Sequence, residues 1–488
     1  MNSSTRIPWQ WKHSYAELPL PCFSEAPPSP VPQPELAIFN AEWAKTLGLG
    51  ELSELPPQTL ADFLSGNRLP PGAKPIAMAY AGHQFGHFNV LGDGRAILLG
   101  EHMDPSGRCH DIQLKGAGRT RYSRNGDGRA ALGPMLREYL ISEAVAALDI
   151  PTTRSLAVVH TGEPVLRQGH PPGAVLVRTA ASHLRVGTFA LFAALEDRAP
   201  LQALLDYTIA RHYPALADAS NPPLALLEAV MHRQAELVAR WMAVGFVHGV
   251  LNTDNVALSG ETIDYGPCAF IDRFRQDAAY SSIDSRGRYA YGNQPSITAW
   301  NLARFAESLL PLIDSQPDKA VSRAEAVLGG YEATYEKAWL QQMGAKFGLA
   351  APLESDANLI RDWLALLEKH RLDFTNAYRA LSGDAVPEQS ALDWPDFLEW
   401  RQRLDQRLAE AGASPEEVQA LRDRTNPRQI PRNHAVQAAL DRAEAGDLSA
   451  FEEAHRVLTN PYQLDPSCDL YAKTPSEGDQ CFTSFCGT

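Results

Sequence analysis

Six cysteines in 488 residues are too few and too scattered for a disulfide framework. Cys22, Cys109, Cys268, Cys468, Cys481 and Cys486 include none of the paired short spacings of a zinc site. Only Cys481 and Cys486 lie close together, and in a chain end they read as two unpaired thiols. No apolar run approaches the length of a membrane span, and the opening MNSSTRIPWQWKHSYAEL has no charged leader followed by an apolar core. The expectation is a cytoplasmic protein without a membrane partner. Positive charge is also short: a formal net charge of -14 opposes a broad grip on nucleic acid, which needs many Lys and Arg contacts to phosphate. Solenoid repeats, heptads and low-complexity tracts are absent, which leaves an ordinary globular composition, 44% hydrophobic and 21% charged.

Cations are nevertheless concentrated locally. Lys115, Arg119, Arg121, Arg124, Arg129 and Arg137 fall in one stretch whose single acid is Asp127. A solvated basic face would account for this, and so would a small anionic ligand. The first 75 residues are Pro-rich, with one amphipathic helix near Asn40 to Leu47, and read as a wrapping segment. From Ala96, AILLGE, the turn MDPSGR and CHDIQLKG predict two strands, the second ending at Lys115. PMLREYLISEAVAALDI predicts a helix from Pro134, and LAVVH and AVLVRTA two further strands. Beyond these the pattern turns helical. LALLEAVMHRQAELVARWMAVG should stop at Gly245, NVALSGETIDYG reads as a hairpin about Ser259-Gly260, and ITAWNLARFAESLLPLI, AVLGGYEATYEKAWLQQM and NHAVQAALDRAEAGDLSAFEEAHRVL each read as helical.

Transfer from ATP needs cations for the phosphates, oxygen ligands for a metal ion and a closely approaching backbone. GHQFGHFNVLGDGRA supplies Gly82, Gly86, Gly92 and Gly94 before a strand, although it is not G-x-G-x-x-G and tight turns would also explain it. Lys115 stands where a phosphate-binding lysine would, and the following helix offers Glu138 and Glu143 as its partner. Five residues separate these about 140° around a helix, so only one faces the strand. The most specific element is HGVLNTDN, His248 to Asn255, followed by DYG, Asp264 to Gly266. Protein kinases use H-R-D-x-x-x-x-N and then D-F-G to place a base and two metal ligands. Here Asn255 and Asp264 keep the ligand positions, Val250 occupies the base position and Asp254 is a new carboxylate. Turn capping is the bland reading of Asn255 and Asp264. The order of elements favours an α+β, two-lobed protein-kinase-like fold with altered chemistry: a strand-rich N-lobe over 76–195, a helical C-lobe core over 196–320 and additional C-terminal helices over 321–488.

YAGHQFG, LGDGRA, IQLKGAGRT, YSRNGDGRA, REYLISEA, IPTTRSLA, VRTAASHLRVGTF, HGVLNTDN, IDYGP and YGNQP together resemble the selenoprotein O family. That resemblance implies a kinase-like fold that binds ATP reversed and transfers AMP to Ser, Thr or Tyr hydroxyls of proteins, releasing pyrophosphate. It assigns nucleotide contacts to Gly92, Gly94, Arg95, Asp127, Gly128 and Asp264, and phosphate contacts to Lys115, Arg178 and Arg185. It favours Glu138 as the partner of Lys115, gives Mg²⁺, or Mn²⁺ in its place, to Asn255 and Asp264, and makes Asp254 the proton acceptor. Arg178 and Arg185 enter through the resemblance alone. In some members selenocysteine stands third from the end, where this chain has Cys486, with Cys481 too distant for a C-x-x-C-type pair. A kinase-type phosphotransferase shares Lys115, Asn255 and Asp264 but lacks the base at position 250; a non-catalytic ATP-binding pseudokinase would not require Asp254.

Overall fold

The computed structural model describes residues 7–167, 169–476 and 482–484; the expectations for Cys481 and Cys486 lie outside the described residues. Along the chain the strands are β1 (Trp11–Lys12), β2 (Phe23–Glu25), β3 (Glu35–Phe39), β4 (Ile76–Met78), β5 (Ala81–Gln84), β6 (His87–Val90), β7 (Ala96–Met103), β8 (Cys109–Lys115), β9 (Ala130–Ala131), β10 (Arg154–Pro164), β11 (Pro172–Ala180), β12 (Phe246–Val247) and β13 (Ala269–Phe270). The helices are α1 (Ala41–Thr46), α2 (Pro57–Ser65), α3 (Leu132–Ala147), α4 (Val186–Ala194), α5 (Arg198–His212), α6 (Pro222–Val244), α7 (Gln294–Ile313), α8 (Pro317–Leu328), α9 (Tyr331–Lys346), α10 (Asp356–His370), α11 (Phe374–Leu381), α12 (Pro395–Glu410), α13 (Pro415–Thr425), α14 (Asn433–Glu444) and α15 (Ser449–Leu458). The protein is therefore a mixed α/β chain, with an antiparallel N-terminal sheet and a helical C-terminal region.

The sheet runs β2-β4-β7-β8-β11-β10-β3, with β1 added on β7 and β9 on β11. Alternation along its strands makes two faces. Ile97 and Leu99, Ile112 and Leu114, and Val175 and Val177 pack with Ala44, Leu47, Leu60 and Leu64 of the first 75 residues. The opposite face carries Gln113, Lys115 and Arg178 toward α3. Asn40 caps α1 by accepting from Trp43 N, and Asn221 caps α6 in the same way from Leu224 N. Helix α6 ends, as its sequence requires, at Gly245 with φ of 70°. Helix α3 is buried on nearly every side because α14 and α15 cover its back, where Tyr139 meets Phe451 and Gly133 N donates to Glu444 Oε1 at 3.0 Å.

Three expected elements differ. The AVLGG segment breaks into α8 and α9 at Gly329–Gly330, two successive residues of poor helix propensity. The last predicted helix divides into α14 and α15 about Gly446, whose φ is 95°. NVALSGETIDYG turns at Gly260 but forms no hairpin of its own: Leu258 N donates to Leu184 O at 3.0 Å and Thr262 N to Pro151 O at 2.8 Å. Arms this short retain few mutual bonds, so each pairs with a neighbouring segment instead.

Candidate active site

Strand pleating puts Gln113 and Lys115 on one face of β8, and the antiparallel register sets Arg178 of β11 beside Gln113. The Arg178 Nε donates to Gln113 Oε1 at 2.8 Å, and its Nη1 reaches Glu138 Oε1 at 2.8 Å. The other oxygen of Glu138 takes Lys115 Nζ at 2.5 Å. Burial raises the pKa of Glu138, but these two cations outweigh it and leave the carboxyl below its ordinary value. The helical rotation that separates Glu143 from Glu138 turns Glu143 to Arg154, whose Nε donates to it at 2.9 Å, and to Asn40 Nδ2 at 2.9 Å. Glu143 thus anchors α3 to the sheet edge while Glu138 meets the lysine.

Below the sheet, Asp264 faces Lys115 Nζ at 3.2 Å. Burial opposes its charge, yet Lys115 and Arg178 hold its carboxyl well below the usual range. Its φ of 68° is rare for a residue with a side chain. Arg137 of α3 secures this segment from behind, donating to Gly266 O at 3.1 Å and Cys268 O at 2.6 Å. His248, fully buried, links the preceding loop to it through Ile263 O at 2.9 Å. Asn255 donates Nδ2 to Val250 O at 2.9 Å, leaving its amide oxygen available at the cavity. Asp254 is 8% exposed and its Oδ1 has no hydrogen-bond partner among the described residues. Burial raises its pKa to about 6, with Asp264 adding to the rise and Arg185 opposing it.

Arg185 projects to the same place, with Nη1 donating to Asp254 O at 3.2 Å and its guanidinium 4.2 Å above the Tyr80 ring. The approach of β5 to the Asp254 loop depends on Gly82: a Cβ there would lie 2.2 Å from Asp254 Oδ1. Tyr80, Asp93, Gly94, Arg95, Lys115, Arg178, Arg185, Asp254, Asn255 and Asp264 line a cavity of about 100 Å³. A cavity of about 960 Å³ lies beyond the other end of β8, near Trp43 and Arg211. Its Arg211 and Arg154 are paired with Asp111 and Glu143.

Gly92, Asp127 and Gly128 do not line the small cavity. Gly92 packs on Tyr122, where a Cβ would come within 2.4 Å of the ring, and Gly128 packs on the Gly118 backbone. Asp127 pairs with Arg167 at 2.9 Å. The cation-rich stretch separates likewise: Lys115 reaches the cavity, Arg137 braces the DYG segment, Arg129 pairs with Glu163, and Arg121 and Arg124 are exposed. Sequence reasoning missed Asp93, Gln113 and Arg137 as site residues. Asp93 accepts from Met78 N at 3.2 Å and Gln113 Nε2 at 3.1 Å, 4.0 Å from Arg185; its position between Gly92 and Gly94 was the available signal.

No group of three or more His, Cys, Asp or Glu side chains suited to a metal occurs among the described residues. The Asn255 amide oxygen and the Asp264 carboxylate are instead hard oxygen donors of the kind Mg²⁺ or Mn²⁺ accepts when phosphate and water complete its shell. The family model described as protein adenylyltransferase SelO matches residues 7–459. The chain is 53% identical over 481 residues to a protein nucleotidyltransferase YdiU of Geobacillus kaustophilus, covering 98% of this chain and 99% of that one. It is 52% identical over 484 residues to the protein of that name from Halalkalibacterium halodurans, covering 99% and 98%. With the Bacillus cereus protein of that name it shares 49% over 489 residues, 100% of each.

Proposed function

This chain belongs to the protein adenylyltransferase SelO family, and we propose that the cavity under β8 is where it carries out transfer, in a two-lobed kinase-like arrangement. It is a protein adenylyltransferase, with ATP as substrate and proteins as acceptors. The observation that carries the assignment is the convergence of Lys115, Arg178 and Arg185 with Asp254, Asn255 and Asp264 on one cavity, while Val250 offers no proton acceptor at the kinase base position.

Lys115, Arg178 and Arg185 hold the β- and γ-phosphates inward, in the reverse of the kinase orientation. Glu138 fixes Lys115 and Arg178 so that their charge is already oriented. The nucleoside then lies outward, toward Gly92, Gly94, Arg95 and the Asp127–Gly128 loop. A Ser, Thr or Tyr hydroxyl oxygen bonds to the α-phosphorus as the bond to the α–β bridging oxygen breaks and pyrophosphate leaves. Asp254 Oδ1 takes the hydroxyl proton. A magnesium or manganese ion held by Asn255 and Asp264 supplies charge neutralisation at the phosphate oxygens. The test is isotopic: label from α-labelled ATP should become covalently attached to acceptor protein, and label from γ-labelled ATP should not. Incorporation of γ-label alone would replace this reading with a kinase.

A further inference from the structure

The Asp254 loop is joined to a surface that the transfer chemistry does not use. Two residues before Asp254, Asn252 Oδ1 accepts from Phe85 N at 3.2 Å and from the Tyr289 hydroxyl. Thr253 Oγ1 accepts from His83 N at 2.7 Å. The β5–β6 hairpin, the loop before the base and the turn carrying Arg288 and Tyr289 are therefore one assembly. Alternation along β5 turns Gly82 to Asp254 and His83 to the other face, where His83 meets Phe88 and Trp300 with ring centroids 5.2 and 5.6 Å away.

Arg288 completes that face. Its guanidinium lies 4.9 Å from the Trp300 centroid and 5.7 Å from that of Tyr289, beside Gly86 at the hairpin turn. Asp284 is nearby, but its oxygens already accept from the backbone N–H groups of Arg288 and Tyr289 at 2.9 and 2.8 Å. The adjacent Arg304 pairs with Glu307 at 2.6 Å. Arg288 Nε has no hydrogen-bond partner among the described residues. On the β5–β6 hairpin Phe88 is 42% and Val90 60% exposed, and Ile283, next to Asp284 in sequence, is 55% exposed. In a chain of net charge -14, an arginine with no ion pair among the described residues, set between aromatic rings on the assembly that holds the Asp254 loop, is complementary to an acidic group on an incoming chain.

We propose that this face docks the acceptor protein and that Arg288 selects acceptor segments carrying an Asp or Glu side chain near the hydroxyl. The inference rests on the adenylyltransferase reading above. An extended segment advances about 3.3 Å per residue, so an acid three residues from the hydroxyl lies about 10 Å along the segment from it. Arg288 is a specificity residue and touches neither ATP nor the transferred group.

The test uses the full chain and three synthetic peptides with one threonine, flanked three residues away on either side by glutamate, glutamine or lysine. Transfer is read with α-labelled ATP, and peptide binding by fluorescence anisotropy without ATP. Wild type should favour the glutamate peptide over the glutamine peptide about ten-fold, mainly through KM. Arg288→Gln should bring the two to parity, Arg288→Lys should retain part of the preference, and Arg288→Glu should shift it to the lysine peptide. Unchanged circular dichroism and ATP-induced thermal shift would show that the variants fold and bind nucleotide. Equal use of glutamate and glutamine peptides by wild type, or a preference that survives in Arg288→Gln, overturns the docking inference and leaves adenylyl transfer standing. Preferential binding of the glutamate peptide without α-label in any peptide supports docking and overturns the transfer reading.

Discussion

At the cavity, Lys115 and Arg178 share Glu138, and Lys115 also meets Asp264, which stays partly open to the cavity. In the helical region Arg432, fully buried, sends Nη1 to Asp272 and to Asp373, each at 2.7 Å, and Nη2 to Ala472 O at 3.3 Å. Asp373 also caps α11 by accepting from Asn376 N at 2.8 Å. Both clusters pair buried cations with carboxylates and both lie beside a cavity, yet only the first keeps an exposed ionic group: the Asp264 side chain is 32% exposed, whereas Arg432, Asp272 and Asp373 are closed off to 2% or less. The second clamps the chain beyond DYG to α11 and the C-terminal tail. Neither pairing nor a neighbouring cavity therefore distinguishes a binding site from a structural clamp; what distinguishes them is whether a paired group keeps surface open to a ligand, as Asp264 does, or is wholly closed, as Arg432 is.

The contrast can be tested in four ways, from the largest effect to the smallest. Asp254→Asn should lower kcat about 10²- to 10⁴-fold, the span typical of a lost general base, while ATP binding followed by thermal shift changes little; a comparable loss of ATP binding would make Asp254 a ligand contact instead. Next, Arg432→Met should cost about 3–5 kcal/mol in denaturant unfolding, because it leaves Asp272 and Asp373 buried without their shared cation. Lys115→Ala should abolish ATP use yet change stability by ~1 kcal/mol or less, since Glu138 keeps Arg178. Equal destabilisation by the two variants would erase the distinction.

The smallest effect concerns pH. Neither cluster contains a histidine, whereas burial holds His183 neutral down to about 4, where it faces Asp111, Arg178 and Arg185. It does the same for His212, down to about 3, beside Arg211, Asp111 and Arg233. Because these folded-state values lie below the ordinary histidine value, the unfolded chain binds protons first on acidification. Their contribution is complete above about pH 6.5 and is lost as pH falls toward 4 and then 3. Denaturation midpoints should fall between pH 7 and 5, and the fall should be smaller in His183→Gln.

The alternation of IQLK, the glycine that stops α6 and the spacing of HGVLNTDN before DYG were legible because each rests on local geometry. So was the substitution of Val250 for a base. Other features needed the tertiary structure. Glu138 and Glu143 are equivalent in helical pattern, and only the placement of α3 against β8 and Arg154 separates them. Gln113 has no special sequence spacing, but strand register brings it to Arg178, and Asp93 joins them from the loop before β7 through its bond from Gln113. Arg137 reads in the sequence as one more member of a basic run, and only the fold sets it against the DYG backbone. The arms around Gly260 alternate as a hairpin would, yet pair with Leu184 and Pro151. Sequence determined which groups face each way along a single strand or helix, because backbone periodicity is local. Tertiary structure decided which groups meet, because a charge pair or an interstrand bond depends on distance in space and carries no sequence separation of its own.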